Sequence, residues 1–336
     1  MRKTIPLLII LILSSKVYAQ STKDLAMKRM KDSLTMVYVT EFAKKQPLLR
    51  QGSISYDVIG KGTVESSDAN GNVLYKGEVE TNRLKANFNV PISSWGKNSI
   101  NGSVNYLRQH FQFEEQASGL ISLPSPSYTR STVGLSAIYS RRDSVFNRPV
   151  IYTAGISAYT DELSSIRRIS YTGTIIFPVK QTLNTISNLG VILVVSPNNT
   201  IPIPYFGYWH KFTNSPLEIN IEIPSNITLR MPFSPRTWAT LGTAIDPNLN
   251  FVTIETPTSS TDLVHNLLDL RTSLNIEQLI GKKMVVGIRG GVINTLTSRI
   301  QKNNAKRDDY IIDNKKSAVP FVNFSISFLP FLKSLK

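Results

Sequence analysis

Three histidines, His110, His210 and His265, are the whole imidazole supply of this chain, and there is no cysteine. Acyl transfer or hydrolysis of the Ser-His or Asp-His kind needs an imidazole beside a nucleophile or an activated water. His110 stands beside Phe111, His210 follows Trp209, and His265 comes shortly after Asp262. Each reads better as a strand-end or loop residue. There is no Gly-x-Ser-x-Gly, no His-Glu-x-x-His and no Walker loop. Without cysteine there is no disulfide, no thiolate metal site and no lipoprotein start. These residues predict no enzyme, no metal and no cofactor.

The remaining chemistry is charge. Lys and Arg number 38 against 23 Asp and Glu, a formal net charge of +15. The charged side chains that alternate with apolar ones are the informative set. Arg83, Lys85, Arg230, Arg271 and Arg289 are the candidates for selecting an anionic solute, because rings of Arg and Lys attract anions. Asp57, Glu218, Glu222, Asp269 and Glu277 lie in the same alternating series. Of these, Glu218, Glu222, Asp269 and Glu277 are the candidate ion-pair partners. The mixed signs slightly favour a lumen plugged by its own pairs over an open one.

Strands must position these charges. Leu84, Ala86, Phe88 and Val90 alternate with Arg83, Lys85, Asn87 and Asn89. After the turn Ser93-Ser94-Trp95-Gly96-Lys97, Ile100, Gly102, Val104 and Tyr106 alternate with Asn101, Ser103 and Asn105. A period of two places each series on one face of a strand, and a short turn between two such runs makes a hairpin. The pattern recurs to the last strand, where Val322, Phe324, Ile326 and Phe328 oppose Asn323, Ser325 and Ser327. Repeated segments of roughly 10 residues, apolar on one side and polar on the other, are the mark of a transmembrane β-barrel.

The first residues form an export signal. Arg2 and Lys3 precede an apolar core, Ile5 to Leu13, and Val17-Tyr18-Ala19 supplies a cleavage site. The core is shorter than the about 20 residues a spanning helix needs. The expected organisation is a signal peptide at 1–19, a basic, loosely helical periplasmic leader at 20–49 and an outer-membrane barrel at 50–336. Export removes the chain from nucleic acid.

Loop lengths fix the strand count. Such barrels have short periplasmic turns, long outer loops and an even number of strands. A break at Pro224-Ser225, where proline cannot donate to a ladder, gives fourteen strands. The long loops 61–78, 113–128, 246–262 and 299–316 then all fall outside. Twelve is the alternative if two short strands are misread. Trp95, Tyr106, Tyr139, Tyr152, Tyr171, Phe177, Tyr205, Tyr208, Trp209 and Phe328 lie near the ends of apolar runs, as interface girdles do.

The signal peptide, the stretch Leu84-Lys85-Ala86-Asn87-Phe88-Asn89-Val90-Pro91 and Ile221-Glu222-Ile223-Pro224-Ser225 followed by Leu229-Arg230 carry a resemblance. On them the chain resembles the single-domain outer-membrane β-barrel proteins of Bacteroidetes-type bacteria whose function is unassigned. The resemblance implies a fold and a place, the outer membrane, and transfers no catalytic residue. The expectation is an all-β, closed antiparallel transmembrane barrel. Its partners are outer-membrane lipids, lipopolysaccharide and the assembly machinery. It serves either as a pore for small, anionic solutes or as a plugged structural, secretion or envelope-assembly barrel. A barrel-borne lipid or peptide hydrolase ranks below both.

Overall fold

The computed structural model describes residues 36–113, 127–161, 165–197, 199–256, 259–303, 305–306 and 309–332. The signal peptide and residues 20–35 of the leader lie outside the described residues. The chain divides into two units, Met1–Leu48 and Leu49–Lys336. In the first, residues 36–45 are helical. No described helix is long and apolar enough to cross a membrane.

The second unit is one antiparallel sheet. Its strands are β1 (Gly52–Asp68), β2 (Val73–Trp95), β3 (Asn98–Phe113), β4 (Ser127–Val145), β5 (Arg148–Thr160), β6 (Arg168–Gln181), β7 (Thr185–Ser196) and β8 (Asn199–Lys211). The sheet continues with β9 (Glu218–Ile223), β10 (Asn226–Pro232), β11 (Thr237–Thr256), β12 (Ser259–Ile280), β13 (Met284–Lys302), β14 (Tyr310–Lys316) and β15 (Val319–Phe328). Each strand from β1 to β13 pairs with the next, and closure falls to β14 and β15 together. β15 bridges the first halves of β1 and β13; β14 bridges their second halves. The two are one strand position broken at Ser317-Ala318, so the barrel has fourteen positions. At the break β1 shifts register between Ile59 and Gly62, and the Thr63 N–H donates to Ser317 Oγ at 3.0 Å. A Cβ on Gly62 would stand 2.2 Å from Val319 Cγ1, which is why glycine occupies that point.

Pro224-Ser225 separates β9 from β10, which pair with each other. The expected fourteen strands hold, and twelve does not. Two of the expected loops are sheet instead, and a third is sheet at both its ends. The 61–78 segment is the top of the β1–β2 hairpin, turning at Asn70-Gly71. The 246–262 segment is the top of the β11–β12 hairpin. Within 299–316, β13 runs to Lys302 and β14 begins at Tyr310. Beyond the hydrocarbon layer, or where a strand turns off the outer wall as β11 does above Ile245, neither face has to be apolar, so the alternation that announces strands is lost while the ladder continues. Of the 113–128 loop, residues 114–126 lie outside the described residues.

The alternation sorts the faces as the period of two demands. Leu241 is 52% exposed, and Ile175, Leu189, Phe324 and Val104 are likewise open on the outer wall. Asp57 and Asp269 are 1% exposed and Arg83 2%, inside. Apolar surface outside and charge inside is the inverse of a water-soluble sheet, and in a closed barrel it is the outer-membrane arrangement. The molecule is an outer-membrane β-barrel. Trp95 and Tyr139 pack at 6.4 Å by the short-turn rim, as a girdle pair. Trp209 and Tyr205 do not join a girdle: Trp209 donates to the lumenal Glu218, and Tyr205 lies over Gly207 on the inner face.

Replacing Leu241 by Arg puts a charge in hydrocarbon and is expected to cost about 2–4 kcal/mol. Thr174→Arg, on the inner face, is expected to cost much less. Urea unfolding of the two variants in lipid vesicles checks the assignment of faces.

Candidate functional site in the lumen

Asp246 is the centre of the interior. It is the residue of β11 after Ile245, whose N–H makes the last bond to the β9–β10 side, donating to Ser225 O at 2.9 Å. Lys85 Nζ donates to both its oxygens, at 2.6 and 2.8 Å. Arg83 Nη1 stands at 3.2 Å and Arg271 Nη1 at 3.3 Å. Arg83 also donates to Asp269 at 3.1 Å, and Arg271 Nη2 lies 2.8 Å from Asp57. Asn323 Nδ2 donates to the same Asp57 oxygen that Arg271 contacts, and Thr295 Oγ1 donates to the Asp269 oxygen that Arg83 leaves. Three cations, Arg83, Lys85 and Arg271, thus face three carboxylates, Asp57, Asp246 and Asp269. The charges come from β1, β2, β11 and β12, so the network bolts opposite sides of the cylinder together.

The network also explains the path of β11. Above Ile245 this strand no longer pairs with β10. It approaches β4 instead. Thr132 Oγ1 of β4 donates to the Leu249 carbonyl at 2.9 Å, and Gln109 Nε2 of β3 donates to Asn250 at 3.2 Å. In this upper half β11 lies against β4 without a ladder between them, so β1–β4 and β11–β14 surround the interior as a circuit of eight positions joined by the Thr132 bond. An eight-strand interior is just wide enough for side chains to fill, and it is filled. Gln109, Val264, Asn250, Ser298, Phe111 and Leu263 are all buried there.

A second cluster sits nearer the short-turn end. Arg50 Nη1 donates to Glu277 at 2.5 Å, and Trp238 Nε1 donates to the other oxygen of Glu277 at 2.8 Å. Arg230 lies 4.9 Å over the Trp238 ring and 3.8 Å from Glu218. Glu222 accepts from Asn226 at 3.3 Å. Arg289 lies between Asn275 and Asn323 in the ladder and has no ion pair within 4 Å among the described residues.

Seven of the nine candidate residues fall into two groups, and Arg289 and Glu222 stand outside both. Arg83, Lys85, Arg271 and Asp269 meet in the central network; Arg230, Glu218 and Glu277 meet below it. Asp246, Arg50, Gln109 and Trp238 belong to these clusters although nothing in the sequence reading singled them out. A signal for Asp246 existed, since Thr240, Gly242, Ala244 and Asp246 share one phase of β11.

The lumen is unevenly occupied. Inward residues of β1, β2, β12 and β13 are mostly buried, whereas Thr172, Thr174, Ile192, Val194 and Ile203 of β6–β8 remain partly exposed. Space is left along β5–β8, beside the filled half.

The histidines each meet a hydroxyl: His110 with Thr129, His210 with Thr185 and His265 with Ser298, all at 2.9 Å. Ser298 is 1% exposed and also receives Asn314 Nδ2. No group of three metal-ligating side chains occurs among the described residues.

No protein-family model matches the chain, and no curated protein matches it. Solved outer-membrane barrels do. The outer membrane protease OmpT from Escherichia coli is 11% identical, with a TM-score of 0.30 over 82% of this chain and 96% of that one. An outer membrane channel from Pseudomonas putida F1 is 9% identical, with a TM-score of 0.36 over 83% and 96%. The translocator domain of the autotransporter NalP from Neisseria meningitidis is 8% identical, with a TM-score of 0.28 over 92% and 98%. At these scores no activity is carried across.

Asp246→Ala leaves Lys85 without a carboxylate and takes one of two from Arg83 and Arg271, and is expected to destabilise the barrel by about 3 kcal/mol, in the range for breaking a buried pair. Asp143→Ala, which removes an exposed rim contact to Arg141 and Lys97, is expected to change nothing measurable. The temperature at which the folded, fast-migrating band is lost on gel electrophoresis compares them.

Proposed function

We propose that this is an outer-membrane conduit for small solutes whose bore is restricted, at rest, to the β5–β10 side by the Asp246 network. Its resemblance to the Bacteroidetes-type barrels noted above extends to fold and place, and in this reading it acts without catalysing a reaction. The observation that carries the reading is the placement of one carboxylate against Lys85, Arg83 and Arg271 on an inward-folded β11. A general diffusion pore would leave such cations facing water. Here Arg83, Lys85, Arg230 and Arg271 are neutralised by Asp57, Asp246, Asp269 and Glu218, so selection for anions through them is a latent property, and Arg289 alone of the five candidates has no such partner among the described residues. Lipopolysaccharide and lipid contact the apolar wall, and the assembly machinery inserts it. The second reading, a structural or envelope-assembly barrel, draws on the same ion pairs with the lumen shut altogether.

Planar-bilayer recording separates these readings. The wild type is expected to show a conductance well below that of an open pore of this strand number, with little ion preference. Asp246→Ala is expected to raise conductance several-fold and to prefer anions. A large, steady wild-type conductance would refute the restricted bore. Silence in both proteins would favour the structural reading.

A further inference from the structure

We infer that the barrel wall has a lateral opening between β8 and β11, above the Pro224-Ser225 turn, through which an acyl chain of the surrounding leaflet reaches the lumen. This goes beyond the conduit reading and does not depend on whether ions pass.

The opening follows from strand length. β9 has 6 residues and β10 has 7, where a membrane-crossing strand needs about 9–11. β8 pairs with β9 only from Phe206 to Lys211. Its upper segment, Asn199 to Tyr205, pairs with β7 on one side and with no strand on the other among the described residues. On the far side β11 stops pairing with β10 at Ala244 and turns toward β4. The vacant edge of β8 is seven residues long, about 23 Å at the usual rise per residue. It lies within the lipid layer: Leu193 and Val191 of β7, paired with Pro202 and Pro204, are exposed apolar residues of the outer wall.

An open sheet edge in hydrocarbon leaves backbone groups without partners, at several kcal/mol each. The sequence removes the donors. Pro202 and Pro204 alternate along the vacant edge of β8, and Pro247 stands where β11 leaves β10. In an antiparallel ladder alternate residues turn their N–H toward opposite neighbours. Lys211 of β8 donates to Asn184 on the β7 side and Ile245 of β11 donates to Ser225 on the β10 side, so by alternation the missing N–H of Pro202, Pro204 and Pro247 is the one that would face the gap. On β11 the Leu249 carbonyl on that same edge is taken up by Thr132.

The occupant follows from the lining. On β7 and β8 both faces are apolar. Beside the outward Val191 and Leu193 stand the inward Ile192, Val194, Ile201 and Ile203. A water-filled passage gains nothing from these isoleucines, whereas an acyl chain entering from the bilayer is matched by them. Short turns mark the periplasmic end of such barrels, so the gap opens to the outer leaflet.

The absence of cysteine allows a clean test. Ile203→Cys, Leu193→Cys and Ser103→Cys are each labelled with bimane in the full chain and reconstituted into phosphatidylcholine vesicles, with and without bromine on the acyl chains. Only variants that keep the heat-modifiable folded band are compared. Leu193, on the outer wall, is expected to lose at least half its fluorescence to brominated lipid. Ile203, on the inner face beside the gap, is expected to lose a comparable fraction. Ser103, on the inner face of the closed side, is expected to be quenched by aqueous iodide and not by brominated lipid. If the Ile203 label behaves as Ser103 does, the opening is refuted. Quenching of Ile203 by brominated lipid supports it even where bilayer recording finds no conductance.

Discussion

A backbone amide in hydrocarbon has no water to turn to, and that constraint organises this molecule. Closing the sheet satisfies the ladder around the cylinder, and two devices handle the places where closure is imperfect. At the β14–β15 break, Ser317 supplies a hydroxyl to Thr63 and Gly62 lets the strands come close. Above β9 and β10, where two neighbours are missing, prolines remove donors from the exposed edges, and Thr132 supplies a hydroxyl to the β11 carbonyl. Sheet closure and its local failure are thus handled with the same small set of residues.

Electrostatics inside the cylinder obey a parallel rule. A buried charge is tolerated only when paired, and the pairing then resists being broken from either side. Asp246 illustrates the consequence. Because β11 has lost β10 as a neighbour, its upper half is free to move inward. Because Lys85, Arg83 and Arg271 already point into the lumen, an acidic residue at this point of β11 fixes it there. The inward fold of β11 is therefore stabilised by charge at its foot and by the Thr132 and Gln109 hydrogen bonds above.

Much of this architecture could be read from residue order, for a reason that also marks where the reading stopped. Lipid demands an apolar outer face, so period-two patterning is strict wherever a strand crosses the membrane, and Pro224 punctuates it visibly. Outside the layer, or where β11 leaves the wall for the interior, the demand lapses, and the tops of β1–β2 and β11–β12 pass for loops. Trp209 and Tyr205 passed for girdle residues because aromatic character carries no sign of face; their phase relative to Phe206 does. The charges of Arg83, Lys85, Arg271 and Asp269 were visible as inward residues from alternation alone. Their common partner was not, since Asp246 precedes a proline and reaches them across the lumen from strands far away in order.

The two halves of the lumen then follow from one count. Where β11 meets β4 the circuit has eight positions, and side chains fill such a bore without help. Where β5–β10 join the circuit it has fourteen, and inward residues of β6–β8 stay partly exposed, although Arg167 at the β5–β6 rim reaches across to Asp262 and Asn303. A chain that kept β9 and β10 long would hold β11 in the wall and leave a wide, evenly open cylinder. Shortening that one hairpin releases β11, narrows the upper bore, and leaves a vacant edge beside the space that remains. The sealed side and the accessible side are thus produced by the same short hairpin, whose turn is Pro224-Ser225.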